Sequence, residues 1–249
     1  MTPGRRGPVD PLRLLVVSDI HSNHAALRAV LEDAAPWDQC ICAGDTVGYG
    51  PAPNECIDTL RDKGFRCILG NHDHEAITGD ASSPKGAPGN FRFNPPAARA
   101  IEINRSLLTP ASRAYLHSLP ISLRLNIGGV SIAIYHGSPR APLSEYVMPE
   151  EAKRRAAQML AETDCSLLVL GHTHKPCAVE HGDTLLLNPG SVGQPRDGDP
   201  RACYATVEIA EGRIKPLIHR VKYDVKGTQE KMNRLGLPES LASRLGLGR

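Results

Sequence analysis

The chain has 249 residues, of which 41% are hydrophobic and 22% are charged, and this composition is typical of a folded globular protein. Its 29 Lys and Arg residues nearly balance its 27 Asp and Glu residues, so the charge does not point to a nucleic-acid partner. The apolar runs are too short to span a bilayer, and we expect no membrane partner.

Cysteine usage and the first residues of the chain predict where the protein resides. The seven cysteines form no CxxC pair, which is typical of buried thiols in a reducing compartment. Residues 1–11, MTPGRRGPVDP, carry two arginines but no apolar segment follows them. They predict a disordered leader rather than a signal peptide, and we expect a cytoplasmic protein.

Apolar strands and amphipathic helices alternate along the first third of the chain. Leu12–Val17 is apolar without alternation, which predicts a strand buried on both faces. Helices are predicted at residues 23–33 and 54–63, and strands at residues 39–43 and 65–69. This order predicts an α/β architecture with a mainly parallel sheet.

The pattern changes at residues 76–120, where a Gly-, Pro- and Ser-rich loop precedes two helix-like stretches at 97–107 and 110–118. A loop of this length in a compact domain is typically functional, so we predict a lid-like insertion. The later predicted elements are a hairpin at 121–126 and 130–135, a helix at 149–162, strands at 167–170, 184–187, 203–209 and 213–219, and a peripheral helical tail at 228–249. We expect the whole chain, 1–249, to form a single domain.

Side chains of the types that bind metals follow five of the predicted strands, in four cases in a segment that contains a glycine. These residues are Asp19, His21, Asp45, Asn71, His72, Asp73, His136, His172 and His174. Because ligand sites of open α/β sheets lie beyond the carboxyl ends of the strands, we expect the five strand ends to converge. Without His72 and Asp73, seven side chains remain, which are more than one cation needs. Two cations that share a carboxylate would use all seven. Nitrogen and oxygen ligands without thiolate suit Mn²⁺, Fe, Zn²⁺ or Co²⁺.

The segments SDIHSN, GDTVGYG, GNHD, HGSP and GHTH stand in the order found in the calcineurin-like metallophosphoesterase superfamily. The chain resembles the small bacterial and archaeal phosphoesterases of that superfamily from about residue 12 to about residue 210. The resemblance implies an α/β fold, classed as α+β in some schemes. Its expected form is a metallophosphoesterase-type β-sandwich of two mixed sheets flanked by helices, in four layers ordered α/β/β/α.

The resemblance also implies how the site works. One cation would be held by Asp19, His21, Asp45 and His174. The other would be held by Asp45, Asn71, His136 and His172, so that Asp45 bridges them. Manganese is the favoured metal, and a hydroxide between the two ions would attack phosphorus in line. His72 would stabilise the phosphoryl charge or protonate the leaving oxygen, Asp73 could orient His72, and Arg196 could reach a substrate phosphate.

We therefore predict a hydrolase acting on a small phosphodiester or phosphomonoester. A protein serine/threonine phosphatase is disfavoured, because Asp73 stands where those enzymes carry Glu. The alternatives are a non-catalytic scaffold that keeps the fold, a nucleotide or dinucleoside-polyphosphate hydrolase, and a nuclease. The expected partner is a small phosphorylated substrate, and the sequence leaves the oligomeric state open.

Overall fold

The computed structural model describes residues 11–79 and 93–249. Nearly all of the predicted leader and residues 80–92 of the predicted lid-like insertion lie outside these ranges. The division of the chain into leader, insertion, domain and tail therefore stays a prediction.

Ten strands and eight helices lie in the described ranges. The strands are β1 (Leu12–Val17), β2 (Gln39–Cys42), β3 (Arg66–Cys67), β4 (Ser122–Ile127), β5 (Val130–Tyr135), β6 (Leu167–Val169), β7 (Cys177–His181), β8 (Thr184–Asn188), β9 (Ala202–Ala210) and β10 (Arg213–Val221). The helices are α1 (His24–Ala34), α2 (Pro53–Asp62), α3 (Asn71–Thr78), α4 (Pro95–Leu107), α5 (Pro110–Ser118), α6 (Pro149–Thr163), α7 (Val225–Arg234) and α8 (Glu239–Leu245).

The strands form two mixed sheets of five strands each. The first sheet has the order β10-β9-β1-β2-β3, in which β1, β2 and β3 run parallel to one another and β9 is antiparallel to both β1 and β10. The second sheet has the order β4-β5-β6-β8-β7, in which β5, β6 and β8 run parallel. The second sheet has antiparallel pairs at both edges, whereas the first has them only on the side of β9 and β10, since its other edge strand, β3, is parallel to β2. Within each sheet the parallel strands end on the same side.

Side chains along β1 show how the layers meet. Leu14 and Val16 lie in the core between the two sheets, where they share a cluster with Ile132 of β5. Leu15 and Val17 point to the other face and pack with helix α1. Successive side chains of a strand point to opposite faces, so a strand covered on both sides must be apolar throughout.

Helix α6 covers the outer face of the second sheet, where Met159 and Leu160 pack against Leu168 of β6. Helices α1 and α6 thus enclose the two sheets from opposite sides. The predicted α/β/β/α sandwich of two mixed sheets is confirmed.

The predicted elements omit α3 and β7. Helix α3 begins inside the GNHD segment, where Gly70 is the N-cap and its backbone N–H donates to the Asp73 side chain at 3.1 Å. Strand β7 pairs only with β8 and its side chains are partly or fully exposed, so it lacks the apolar run that marks the central strands.

The end of the chain packs on helix α4. Met232 of α7 and Leu241 and Leu245 of α8 are buried in one cluster with Ala100 of α4 and with Tyr49. This contact brings the C-terminal helices to the loop that follows β2. The longest helix in residues 11–79 and 93–249 is α6 with 15 residues, and none there has the length and apolarity needed to cross a membrane.

Replacing Leu14 tests the core between the sheets. Leu14 is 0% exposed, and a Leu→Ala change at such a site lowers the free energy of unfolding by about 2–5 kcal/mol because it removes apolar contacts and leaves a cavity. Leu217→Ala is the matched control, since Leu217 is 59% exposed on β10. Urea unfolding of both variants in the presence of a chelator measures the difference, and equal losses would contradict this view of the core.

Candidate metal centre

The loops after the central strands carry all of the predicted metal ligands. Asp19 and His21 follow β1, Asp45 follows β2, Asn71 begins α3 after β3, His136 follows β5, and His172 and His174 follow β6. Each of these seven residues is at most 2% exposed. The two sheets therefore bring seven polar side chains into one buried site.

The ligand atoms converge in overlapping groups. Asp19, His21 and His174 form one group, and Asp45, His136 and His172 form another, while His21, Asp45 and His72 form a third that overlaps both; within each group the atoms lie within 4.8 Å of one another. Asn71 joins the second group, because its Oδ1 lies 3.0 Å from His136 Nε2.

Asp45 lies between the two groups. Its Oδ2 is 3.6 Å from His21 Nε2 and 3.3 Å from His136 Nε2. The structure thus brings together all seven residues that the resemblance implies as metal ligands, with Asp45 where a bridging ligand would be. Their roles as ligands stay a prediction.

The backbone is strained at most of these residues. Eight non-glycine residues in the described ranges have a positive φ, and five of them are predicted ligands: Asp19, His21, Asp45, His172 and His174. A left-handed conformation of this kind costs on the order of 1–3 kcal/mol per residue and persists only where the surroundings enforce it. The strain is concentrated in the site, which indicates that the loop geometry serves the side chains.

Two glycines let the loops approach each other closely. Gly48 has a φ of +144°, and a Cβ there would lie 2.6 Å from His21 Nδ1 and 2.7 Å from His72 Nδ1. A Cβ at Gly70 would overlap the backbone nitrogen and side chain of Asp45. Neither position can hold a side chain unless a ligand moves, so glycine is required at both.

Backbone carbonyls determine which imidazole nitrogen carries the proton. His174 Nδ1 lies 2.6 Å from the Gln194 carbonyl oxygen, and His136 Nδ1 lies 2.8 Å from the Ala43 carbonyl oxygen. His21 Nδ1 lies 3.3 Å from the Val47 carbonyl oxygen. A carbonyl only accepts, so each Nδ1 donates, and Nε2 of each ring points into the site, where it can bind a cation whenever it is unprotonated.

The lone pairs face other acceptors. His21 Nε2 and His174 Nε2 are 3.1 Å apart, and His174 Nε2 lies 3.3 Å from Asp19 Oδ1. Within the described ranges, no well-aligned donor reaches Asp19 Oδ1 or Asp45 Oδ2, although both are buried. Buried acceptors directed at one another are unfavourable unless a cation lies between them. The mixed imidazole, carboxylate and amide set fits a borderline divalent metal such as Mn²⁺ or Zn²⁺.

Sequence comparison agrees with this geometry. Residues 12–212 match the calcineurin-like phosphoesterase superfamily domain. The chain belongs to this superfamily. It is 35% identical to the uncharacterized protein MJ0912 of Methanocaldococcus jannaschii over 95% of this chain and 98% of that protein. It is also 25% identical to Phosphodiesterase YfcE of Escherichia coli K12, over 76% of this chain and 84% of that protein.

Comparison with solved structures indicates the same superfamily and fold. A metallophosphoesterase from Sphaerobacter thermophilus is 36% identical, with a TM-score of 0.77 over 96% of this chain and 100% of that chain. The hypothetical protein PH1004 from Pyrococcus horikoshii has a TM-score of 0.84 at 22% identity, over 96% of this chain and 99% of that chain, and shows the shared fold. The predicted superfamily is confirmed.

Burial and charge set the protonation of this superfamily site. Burial raises the pKa of Asp19 to about 7. Burial lowers the pKa of His21, His172 and His174 well below the usual value, which keeps these imidazoles neutral and able to act as ligands.

Asp45 and His136 behave as an ion pair. Burial lowers the pKa of His136, but the negative charge of Asp45, whose Oδ2 lies 3.3 Å from Nε2, opposes burial most strongly, and the pKa is raised to about 9. Burial likewise raises the pKa of Asp45, yet the charge of His136 holds it well below its usual range. A proton on His136 thus supplies part of the positive charge that the carboxylates require, and a bound cation would replace it.

His72 lies at the side of the ligand groups. Its backbone N–H donates to Asp45 Oδ1 at 2.8 Å, and its ring is 4.6 Å from the His21 ring and 4.5 Å from the Tyr49 ring. Burial lowers the pKa of His72 to about 4. Within the described ranges, His72 Nδ1 is buried and has no hydrogen-bond partner.

Asp73 acts on the backbone instead of on His72. Its two carboxylate oxygens accept hydrogen bonds from the backbone N–H groups of Thr46 at 3.1 Å, Val47 at 2.8 Å and Gly70 at 3.1 Å. These bonds tie the loop after Asp45 to the start of α3. We therefore assign to Asp73 the positioning of that loop, in place of the expected orientation of His72.

Arg196 and two tyrosines complete the surroundings. The Arg196 backbone N–H donates to the His174 carbonyl at 3.3 Å, and its Nη2 donates to the Tyr49 hydroxyl at 3.0 Å. The Tyr146 ring stacks on the His172 ring at 3.8 Å. Sequence reasoning missed both tyrosines: Tyr49 lies inside the quoted GDTVGYG segment and could have been singled out, whereas no motif surrounds Tyr146.

The role of Asp73 predicts a large loss of stability for Asp73→Ala. Each buried N–H group left without an acceptor costs about 1–3 kcal/mol, so three of them should lower the free energy of unfolding by about 3 kcal/mol or more. Asp38→Ala is the control, because Asp38 is exposed and accepts one backbone hydrogen bond, from Arg13 at 2.7 Å. Urea unfolding of the chelator-treated variants measures both, and an equally small loss in each would contradict the assignment.

Proposed function

We propose that the chain is a dinuclear metal-dependent phosphoesterase that hydrolyses a small phosphodiester or phosphomonoester. The proposal is carried by one observation. Buried hydrogen-bond acceptors face one another in two groups, and Asp45 lies where the two groups meet. Such an arrangement has a purpose only if cations occupy it, and two cations sharing a carboxylate are the centre best suited to displacement at phosphorus.

The proposed ligands of each cation follow the grouping of the side chains in the structure. Asp19, His21 and His174 with Asp45 would hold one cation, and His136, His172 and Asn71 with Asp45 would hold the other. Manganese is the favoured metal for this mixed set. Bound at these residues, the two cations would polarise the phosphoryl oxygens and make water a stronger nucleophile at neutral pH.

The chain's own residues would position the substrate and supply the proton. Hydrolysis breaks the bond between phosphorus and the leaving oxygen, and that oxygen must gain a proton. His72 lies beside both His21 and Asp45, and its Nδ1 has no hydrogen-bond partner in the described ranges. We assign it the hydrogen bond to the leaving oxygen; the negative charge of a bound phosphate would raise its pKa from about 4 and so favour the proton that this role requires. Arg196, which lies close to His174, would add positive charge toward a substrate phosphate.

A non-catalytic scaffold is a weaker account of the same residues. Five strained ligands cost on the order of 1–3 kcal/mol each, and a surface that only binds partners gains nothing from that strain. The strain is explained if the chain must hold cations in a set geometry. No contact in the described ranges favours a nuclease or a dinucleoside-polyphosphate hydrolase over a general phosphoesterase.

Manganese binding and hydrolysis test the two-cation centre. We expect calorimetric titration of chelator-treated protein to give two Mn²⁺ per chain and Asp45→Asn to bind at most one. We also expect Asp45→Asn to lower kcat on bis-p-nitrophenyl phosphate by about 1000-fold or more, because the assignment makes it a ligand to both cations. Asp58→Asn, on the exposed surface of α2, should behave as the wild type. Full hydrolysis by Asp45→Asn would overturn the proposal.

His72→Gln separates proton transfer from metal binding. We expect this variant to keep two Mn²⁺ per chain and to lose about 100- to 10,000-fold in kcat, the usual contribution of a general acid. The loss should be smaller on p-nitrophenyl phosphate than on an alkyl phosphate, because nitrophenolate leaves readily without a proton. His117→Gln, an exposed histidine of α5, is the control. Loss of a bound cation together with activity would make His72 a ligand instead.

A further inference from the structure

Two arginines that are far apart in the chain lie side by side next to the proposed metal centre. Arg196 is in the loop between β8 and β9, and Arg244 is in helix α8. The Nη2 of each donates to the same oxygen, Gln194 Oε1, at 3.2 Å and 3.3 Å. Their guanidinium carbons lie 5.6 Å and 5.7 Å from the centre of the Tyr49 ring.

The C-terminal tail holds Arg244 in this place. Leu241 and Leu245, on either side of Arg244 in α8, are 1% and 3% exposed. The backbone N–H of Gly198 donates to the Gly248 carbonyl at 2.9 Å, which ties the end of the chain to the loop that carries Arg196. The packing of α8 therefore holds the two arginines side by side, although their like charges repel each other.

No carboxylate neutralises the pair. In residues 11–79 and 93–249, neither Arg196 nor Arg244 forms an ion pair. Across the same part of the chain, the Nε of each is buried without a hydrogen-bond partner. Burial, followed by the charge of Arg196, lowers the pKa of Arg244. Two like charges with buried, unused donors indicate that an anion belongs between them.

The arginine pair lies beside the ligand groups and not among them. The Gln194 carbonyl accepts from His174 Nδ1, so Gln194 lies on the side of that ring opposite Nε2, which faces Asp19. The Tyr49 ring also contacts the rings of His21 and His72, both at 4.5 Å. An anion bound by the arginines would thus be a neighbour of the phosphoryl group at the metal centre.

We propose that Arg196 and Arg244 form a second anion site, which binds a phosphate of the substrate other than the one hydrolysed. The substrate class is then a small organic bisphosphate. This inference rests on the proposed function, because it assumes that the attacked phosphoryl group binds at the ligand groups around Asp45. The unused Nε–H groups of two guanidinium planes suit the oxygens of a phosphate dianion.

Non-hydrolysable phosphonates test this site without turnover. The probes are α,ω-alkane bisphosphonates of three to six carbons and the monophosphonates of the same chain lengths, titrated by calorimetry into the Mn²⁺-loaded protein. We expect the best-fitting bisphosphonate to bind at least about tenfold more tightly than its monophosphonate, as charge-assisted hydrogen bonds provide. Arg244→Gln should remove most of this advantage, and Arg244→Lys should retain part of it because a charge remains without the planar fork.

Arg234→Gln is the matched control, since it removes one positive charge from an exposed position in the last turn of α7. It should keep the full advantage of the bisphosphonate. Arg196→Gln provides an independent second variant in case Arg244→Gln loosens helix α8, which thermal unfolding would reveal.

The outcomes separate this inference from the proposed function. Equal binding of the two phosphonates by the wild type at every chain length, or an unchanged advantage in both Arg244→Gln and Arg196→Gln, would overturn the second anion site alone. Failure of the wild type to bind any monophosphonate in a Mn²⁺-dependent way would instead contradict the proposed metal centre.

Discussion

A buried set of hydrogen-bond acceptors directed at one another is the constraint on which the rest of this structure depends. Backbone carbonyls accept hydrogen bonds from Nδ1 of His136 and His174, so Nε2 of each ring faces a carboxylate or amide oxygen at 3.0–3.3 Å. These atoms are buried, and without cations, protons on His136 and on Asp19 would offset part of the repulsion. Folding of the site and binding of cations should therefore be strongly coupled.

Hydrogen bonds between the ligand loops hold the unfavourable site geometry in place. The Asp19 backbone donates to the Gly44 carbonyl at 3.1 Å and the His21 backbone donates to the Asp45 carbonyl at 2.9 Å, which joins the loops after β1 and β2. His172 donates its backbone N–H to Asp19 Oδ2 at 3.0 Å and so connects the second sheet to the first. No loop can relax its positive φ without breaking a bond to the next. The strain is thereby maintained across both sheets.

The sequence was most informative where a residue type is tied to one physical role. Continuous apolar runs such as Leu12–Val17 predicted the central strands, because only strands covered on both faces need them. Carboxylate, amide and imidazole side chains at the strand ends predicted the site, since few other roles require that set. Helix α3 was hidden because its first turn coincides with the GNHD segment. Strand β7 was hidden because an edge strand needs no apolar face. Tyr146 and Arg244 could not be found, because only tertiary packing brings them to the site.

Arg244 also shows where selectivity among phosphate-ester substrates can arise in such a protein. The match to the superfamily domain ends at residue 212, and α7 and α8 lie beyond it. The chemistry of the superfamily is contained in the strand ends, whereas Arg244 comes from a helix outside that domain and reaches the centre through Tyr49 and Gln194. The alignments to the Methanocaldococcus and Sphaerobacter proteins cover enough of this chain to extend past residue 212. A charge on a helix outside the matched domain can change which phosphate esters bind without the replacement of a single metal ligand, because Arg244 lies beside the ligand groups and is not one of the proposed ligands.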